Sequence, residues 1–233
     1  MKKSVWMMSA LLGMGLWSCD QDKDLTNMKS VDSDFETTVD GWAVEFADYS
    51  TDQDSTSLEF NSRLSALPAP LDTTKKALRV QSHNRSDDMF MYLKKKITGL
   101  DPNRTYKVTY EIDLGTNYPN GSVGIGGSPA ESVYLKAGAS PNEPVRKLVN
   151  GFYEVSIDKG QQATGGTEMP VLGNVSNGLD STVYKVVQRS NNDAPVSVKP
   201  NANGEIWLCV GTDSGFEGLT ILYYDRIKVT IRE

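Results

Sequence analysis

His83 is the only histidine in this chain of 233 residues. Any Ser-His-Asp relay would have to run through it, because a serine nucleophile needs an imidazole base within hydrogen-bond reach. Gly126-Gly127-Ser128-Pro129-Ala130 approaches the nucleophile elbow, but Ala130 stands where the second glycine belongs. The elbow also requires a strand that runs into a helix, and no helical pattern follows. His83 is therefore expected at the surface, at the end of a strand. A glycosidase instead needs two carboxyl groups at a set separation. Asp87, Asp88, Asp113, Glu131 and Glu217 are available, but nothing in their spacing pairs two of them. Asp87 and Asp88 also fit a loop closed by Asx-type hydrogen bonds. The glycine-rich run 121–127 matches neither the dinucleotide nor the P-loop spacing, and no lysine follows in the required place.

Binding chemistry fits the residues better than catalysis. Sugars are held by aromatic rings against their C–H faces and by polar groups that read hydroxyls, within apolar walls. Tyr118 lies between Asn117 and Pro119, and Phe216 lies in Asp213-Ser214-Gly215-Phe216-Glu217. These two are the stacking candidates, with Asn84, Asp87, Asp88 and Asp213 as hydrogen-bonding partners. The alternative is that Phe216 tucks under its own loop and Tyr118 caps a sheet. Tyr92, Trp42 and Trp207 fall in apolar surroundings and are assigned to core packing.

The elements that must carry these residues read as strands. Apolar runs are short, β-branched or aromatic, and bounded by Gly, Pro, Asn and Asp. In 105–112, Tyr106, Val108, Tyr110 and Ile112 share one face, with Lys107, Thr109 and Glu111 on the other. In 222–231, Ile227, Val229 and Ile231 alternate with Arg226, Lys228 and Thr230. Further strands are expected at 43–49, 57–63, 77–82, 89–95, 122–125, 132–136, 151–157, 183–188 and 205–210. Leu100-Asp101-Pro102-Asn103 is a turn. Strands in close succession without helices predict an all-β fold, an antiparallel β-sandwich. Residues 160–180 are expected to form a long loop rich in Gly, Asn and Thr.

The chain begins with Lys2 and Lys3, followed by an uncharged apolar stretch that ends at Trp17. It is shorter than the roughly 20 residues a membrane-spanning helix needs, so it reads as an export signal. Leu16-Trp17-Ser18-Cys19 resembles the lipobox of bacterial lipoproteins, which implies cleavage before Cys19 and a lipid on its thiol. Asp20, Gln21, Asp22, Lys23 and Asp24 resemble the surface-export signal of Bacteroidetes lipoproteins, and are equally suited to a solvated tether. The expected organisation is a signal over 1–19, an acidic linker over 20–33 and one domain over 34–233. Cleavage removes two lysines and no acid, taking the formal charge from −6 to −8. Such a chain repels nucleic acid and anionic lipid, which leaves the lipid as the membrane contact. Cys209 then has no partner for a disulfide, and Ile206-Trp207-Leu208-Cys209-Val210 points to a buried apolar role.

Three stretches carry a resemblance to jelly-roll carbohydrate-binding modules and galactose-binding-like sandwiches. They are Asp34-Phe35-Glu36 with Asp40-Gly41-Trp42, Gly99 to Val108, and the closing run Leu222-Tyr223-Tyr224-Asp225-Arg226-Ile227. The likeness implies a jelly-roll and, at the positions matching those modules, a structural calcium held by Asp34, Glu36 and Asp225. Exposed acids at strand ends are the competing reading of those three. The middle of the chain, including Asn84 to Lys94, Gly124 to Gly138 and Gly211 to Gly218, resembles a family of uncharacterised secreted or lipid-anchored bacterial proteins. Together these readings imply a non-catalytic outer-membrane lipoprotein that binds glycan or polysaccharide at the cell surface, the periplasmic face being the other placement. A structural or adhesion subunit contacting other envelope proteins is the second reading, and a glycoside hydrolase-like enzyme the third.

Overall fold

The computed structural model describes residues 28–233. The signal, Cys19 and residues 20–27 of the tether lie outside them. The strands are β1 (Met28–Ser33), β2 (Ala43–Ala47), β3 (Tyr49–Ser50), β4 (Asn61–Ala66), β5 (Lys76–His83) and β6 (Phe90–Ile97). They continue with β7 (Tyr106–Thr116), β8 (Val133–Ser140), β9 (Arg146–Val149), β10 (Phe152–Val155), β11 (Gly160–Gln161) and β12 (Thr164–Gly165). The last are β13 (Val171–Asn174), β14 (Lys185–Ser190), β15 (Val196–Val198), β16 (Ile206–Ser214) and β17 (Leu219–Arg232). No helix occurs among the described residues.

Two antiparallel sheets form the sandwich. One runs β14-β7-β17-β5-β4, with β1 and β15 added at its edges, and the other runs β13-β8-β16-β6-β2. Successive strands cross between the sheets: β5 and β6, β7 and β8, β13 and β14, and β16 and β17 hold matching positions in the two orders. That wrapping makes the architecture jelly-roll-like, as expected. The alternation in β7 and β17 faces the way the sequence predicts. Val108, Tyr110, Ile112, Ile227, Val229 and Ile231 are fully buried and meet Leu93, Leu135, Leu208 and Val210 from the opposite sheet. Each of these side chains leaves water for an apolar contact, the main force that closes a sandwich.

The structure moves several expected boundaries; the strand expected at 57–63 begins only at Asn61, as β4. Met28–Ser33, expected to be linker, pairs in register with β17 from Met28↔Arg232 to Ser33↔Ile227. Its alternation is too short and polar to stand out alone. Residues 122–125 form no strand; Val123 is 94% exposed and Ile125 72%. Gly121 and Gly126 adopt φ of 64° and 72°, turn conformations that a strand does not use. The long loop at 160–180 is partly ordered as β11, β12 and β13.

Residues 141–170 lie over the outer face of the β13-β8-β16-β6-β2 sheet. A sandwich leaves outer faces to water by default. Here Phe90, Tyr92 and Cys209 point outward and are still fully buried, packed with Ala47, Ile157 and Met169. Gly138 makes the approach possible: a Cβ there would stand 1.7 Å from the Glu168 carbonyl.

Candidate functional site

A cavity of about 510 Å³ opens where this covering segment meets the β5–β6 loop. That volume falls inside the roughly 300–1,000 Å³ range of small-ligand sites. Its wall on one side is the β9–β10 hairpin. Asn150 and Gly151 at the tip adopt φ of 50° and 86°, the left-handed pair that a two-residue hairpin turn requires. The turn releases Phe152 and Glu154 toward the cavity, and Phe152 stays 48% exposed. The opposite rim is Ser86, Asp87 and Asp88.

The β5–β6 loop is positioned by Asn84. Its amide, buried in the protein, donates to the Ser214 carbonyl at 2.9 Å and the Phe216 carbonyl at 3.1 Å, and its oxygen accepts from the Ser86 N–H at 3.0 Å. Gln162 then crosses the gap, donating to the Asp87 carbonyl at 3.1 Å and to Asp88 Oδ1 at 2.9 Å. Gln161 reaches Asp88 Oδ2 at 3.3 Å.

A network of charges underlies the cavity. Asp213 Oδ2 accepts from Lys136 Nζ and Lys159 Nζ, each at 2.8 Å, and from the Gln162 N–H at 2.9 Å. Lys159 Nζ also lies 2.8 Å from Asp48 Oδ2. Two ammonium groups face two carboxylates, so the network is neutral, and neutrality makes its burial tolerable. Burial pushes the Lys136 ammonium down, against the pull of Asp213. Burial would lower Lys159 too, but Asp213 and Asp48 outweigh it and hold that group above its ordinary value. Burial raises the Asp48 carboxyl; Lys159 opposes, while Asp213 and Asp88 add to the rise. Asp213 Oδ1 is buried without a hydrogen-bond partner.

A second cavity of about 510 Å³ lies between β2 and the start of β9. Its floor is Lys94 Nζ, 2.7 Å from Glu45 Oε1 and 2.8 Å from Glu143 Oε1. Arg146 stacks over the Tyr153 ring at 4.6 Å.

The residues expected to bind sugar separate into three groups. Asp87 and Asp88 line the first cavity. Asp213 lies in the network beneath it with its side chain fully buried, and Asn84 is buried as a loop brace. Tyr118 and Phe216 line neither of these two cavities. Tyr118 packs on the main core, accepts the Ile221 N–H at 2.8 Å and donates to the Leu219 carbonyl at 3.3 Å. Phe216 also packs on the core, and its ring fills the space beside Gly124 and Gly218, where any Cβ would collide with it. Phe152, Asp48, Glu154, Asp158 and Lys159 were not singled out from sequence. The Asn150-Gly151 hairpin signal beside Phe152 could have pointed to the first of them.

The two candidates for a serine relay are placed apart from one another's chemistry among the described residues. His83 ends β5 and pairs with Glu59 at 2.9 Å. Ser128 Oγ accepts the backbone N–H groups of Ala130 and Glu131, a loop-capping role. Two of the three expected calcium ligands each accept one backbone N–H. Asp34 Oδ1 accepts the Glu36 N–H at 3.1 Å, and Glu36 Oε2 accepts the Lys76 N–H at 3.0 Å. Burial raises the Asp225 carboxyl, with Asp113, Glu36 and Asp34 adding to the rise against Lys75. Calcium takes six to eight oxygens at about 2.3–2.6 Å. No group of three or more His, Cys, Asp or Glu arranged to hold a metal ion is found among the described residues.

No family model matches the chain, and no curated protein matches it. Among solved structures it is similar to the family 11 carbohydrate-binding module from Clostridium thermocellum in complex with a β-1,3-1,4-mixed-linked tetrasaccharide. There the identity is 13%, the match covers 87% of this chain and 95% of that one, and the TM-score is 0.40. It is similar also to TmCBM27, a carbohydrate-binding module examined for specific mannan recognition, at 12% identity, 88% and 99% coverage and a TM-score of 0.40. A third is the enzymatically active domain of tailspike protein 4 of bacteriophage CBA120, at 10% identity and a TM-score of 0.36. The match covers 84% of this chain and 20% of the tailspike chain.

Proposed function

We propose that this chain is a lipid-anchored, non-catalytic envelope protein that binds glycan at the cell surface through the cavity between the β9–β10 hairpin and Asp87-Asp88. One observation carries the reading. The cavity sets the half-exposed ring of Phe152 and the apolar side chains of Val155 and Ile157 against the carboxylates of Asp87 and Asp88. An apolar platform facing a few fixed polar groups is how a sugar ring is gripped.

Affinity electrophoresis of the processed protein against a panel of neutral, acidic and amine-bearing polysaccharides tests the reading. Retention on at least one, lost in Phe152→Ala with melting unchanged within a few degrees, supports it. No retention on any, alongside capture of specific envelope proteins, would replace it with the structural-subunit reading. Anchoring rests on the lipobox-like Leu16 to Cys19 and is tested separately. Cys19→Ala is expected to leave an uncut precursor without acyl label, and unchanged detergent partitioning would remove the anchor. Surface placement rests on the acids after Cys19; full protection from protease in intact cells would put the domain on the periplasmic face.

A further inference from the structure

The glycan reading leaves open which sugars the cavity accepts, and its charge is one-sided. Asp87, Asp88, Glu154 and Asp158 stand on its wall in addition to the Asp48–Lys159 pair. Lys159 is the only cation among the lining residues. It is already neutralised, with Nζ 2.8 Å from both Asp48 Oδ2 and Asp213 Oδ2. Lys136, beneath, is spent on the same Asp213 oxygen. The cavity therefore offers no positive group to a ligand. The Asp87 and Glu154 carboxylates have no hydrogen-bond or ion-pair partner among the described residues; Glu154 stands opposite Lys147 in the β9–β10 ladder, so the charge left uncompensated at the mouth is chiefly that of Asp87.

An independent feature points the same way. The Phe152 ring is 48% exposed on the cavity wall. A few aromatic rings of the described structure carry a cation of the protein itself, among them Trp42 under Lys95, Tyr153 under Arg146 and Trp207 under Lys96. Phe152 carries no such partner in the described residues. The face of an aromatic ring is the negative end of its quadrupole and attracts cations. A bare ring beside unpaired carboxylates is the combination that recognises an ammonium group.

Resting on the glycan reading, we propose that the cavity takes an amine-bearing sugar, a hexosamine unit whose nitrogen is free and protonated. The pyranose lies on Phe152, its ammonium faces Asp87 and Glu154, and its hydroxyls meet Ser86 and Gln161. Uronic and sulfated sugars are rejected by the same carboxylates. A lysine side chain of a protein partner would bring the same charge. Its thin stem leaves a cavity of about 510 Å³ largely unfilled, so the sugar is the better occupant.

Titration calorimetry with the full processed protein tests this. The probes are a chitosan oligosaccharide, the fully N-acetylated oligosaccharide of the same length, polygalacturonate and a lysine-rich peptide. The chitosan probe is expected to bind at least about tenfold more tightly than its acetylated form, to weaken as salt rises, and to leave polygalacturonate without detectable binding. Asp87→Asn with Glu154→Gln should collapse the ratio between the two sugars. Neither carboxylate supports the fold, so folding survives, and near-native melting checks it. Phe152→Leu keeps the apolar bulk and should lower chitosan affinity as well. Equal or tighter binding of the acetylated sugar would overturn the ammonium proposal and leave glycan binding standing. Binding of the peptide without either sugar would overturn both, as would binding of none of the probes when the wider polysaccharide panel also fails.

Discussion

The ammonium of Lys136 and the carboxylate of Asp213 meet at 2.8 Å with neither side chain exposed to solvent. Breaking a buried pair by removing one partner leaves an uncompensated charge, at a cost of about 3–5 kcal/mol. Asp213→Ala is expected to destabilise by that order in denaturant unfolding, because it strands the buried Lys136 ammonium and takes one of two carboxylates from Lys159. Lys136→Met combined with Asp213→Leu should recover most of the loss, since Lys159 keeps Asp48. A double variant as unstable as the single would show that packing, not charge, is decisive there.

Tyr118 and Phe216 are expected to affect stability and not ligand retention. Tyr118→Phe leaves the Ile221 N–H without its acceptor, which costs about 1–3 kcal/mol. Phe216→Ala opens a void between Gly124 and Gly218, and about 2–3 kcal/mol follows for a ring that is half-buried. Loss of polysaccharide binding in either variant, at unchanged melting temperature, would restore them to the site.

Glu45 sets an acid limb on stability. Burial raises its carboxyl, but hydrogen bonds from Lys94 Nζ and Tyr92 Oη outweigh burial and hold it below the ordinary 4.5. A group depressed on folding stabilises above its unfolded value and loses that contribution as pH falls through its folded value. The melting temperature should therefore fall on acidification through the carboxylate range, less steeply in Glu45→Gln. Carbon-13 titration of the Glu45 carboxyl should give a midpoint under 4.5; a midpoint above it would contradict the pairing.

Cys209 reports on the covering segment. Its thiol is fully buried and burial pushes its pKa far up, so the thiolate needed for alkylation is scarce. Native protein should resist thiol reagents until it unfolds. Gly138→Ala places a methyl against the Glu168 carbonyl and should loosen the segment. Thiol labelling should then accelerate while hydrogen exchange in β7 and β17 stays slow. Unchanged labelling would mean that the segment is held without that close approach.

The sequence by itself determined the sandwich, because a period of two is a local property. Tyr106 to Ile112 and Ile227 to Ile231 can bury one face only as strands, and the cores of β7 and β17 follow from that alone. It also placed Asp87 and Asp88 in a loop and Cys209 in an apolar setting. It could not show that the outer face of a sheet is covered. In β16 the sequence reads Asp213 as an exposed loop partner for a ligand, and it is fully buried. The groups that bury and neutralise Asp213, Lys136 and Lys159, stand 77 and 54 residues away in the chain. Phe152 was likewise an unremarkable residue after a turn until the hairpin folded back beside Asp87. Charge pairing and cavity formation depend on distances between remote segments, which only the tertiary structure decided.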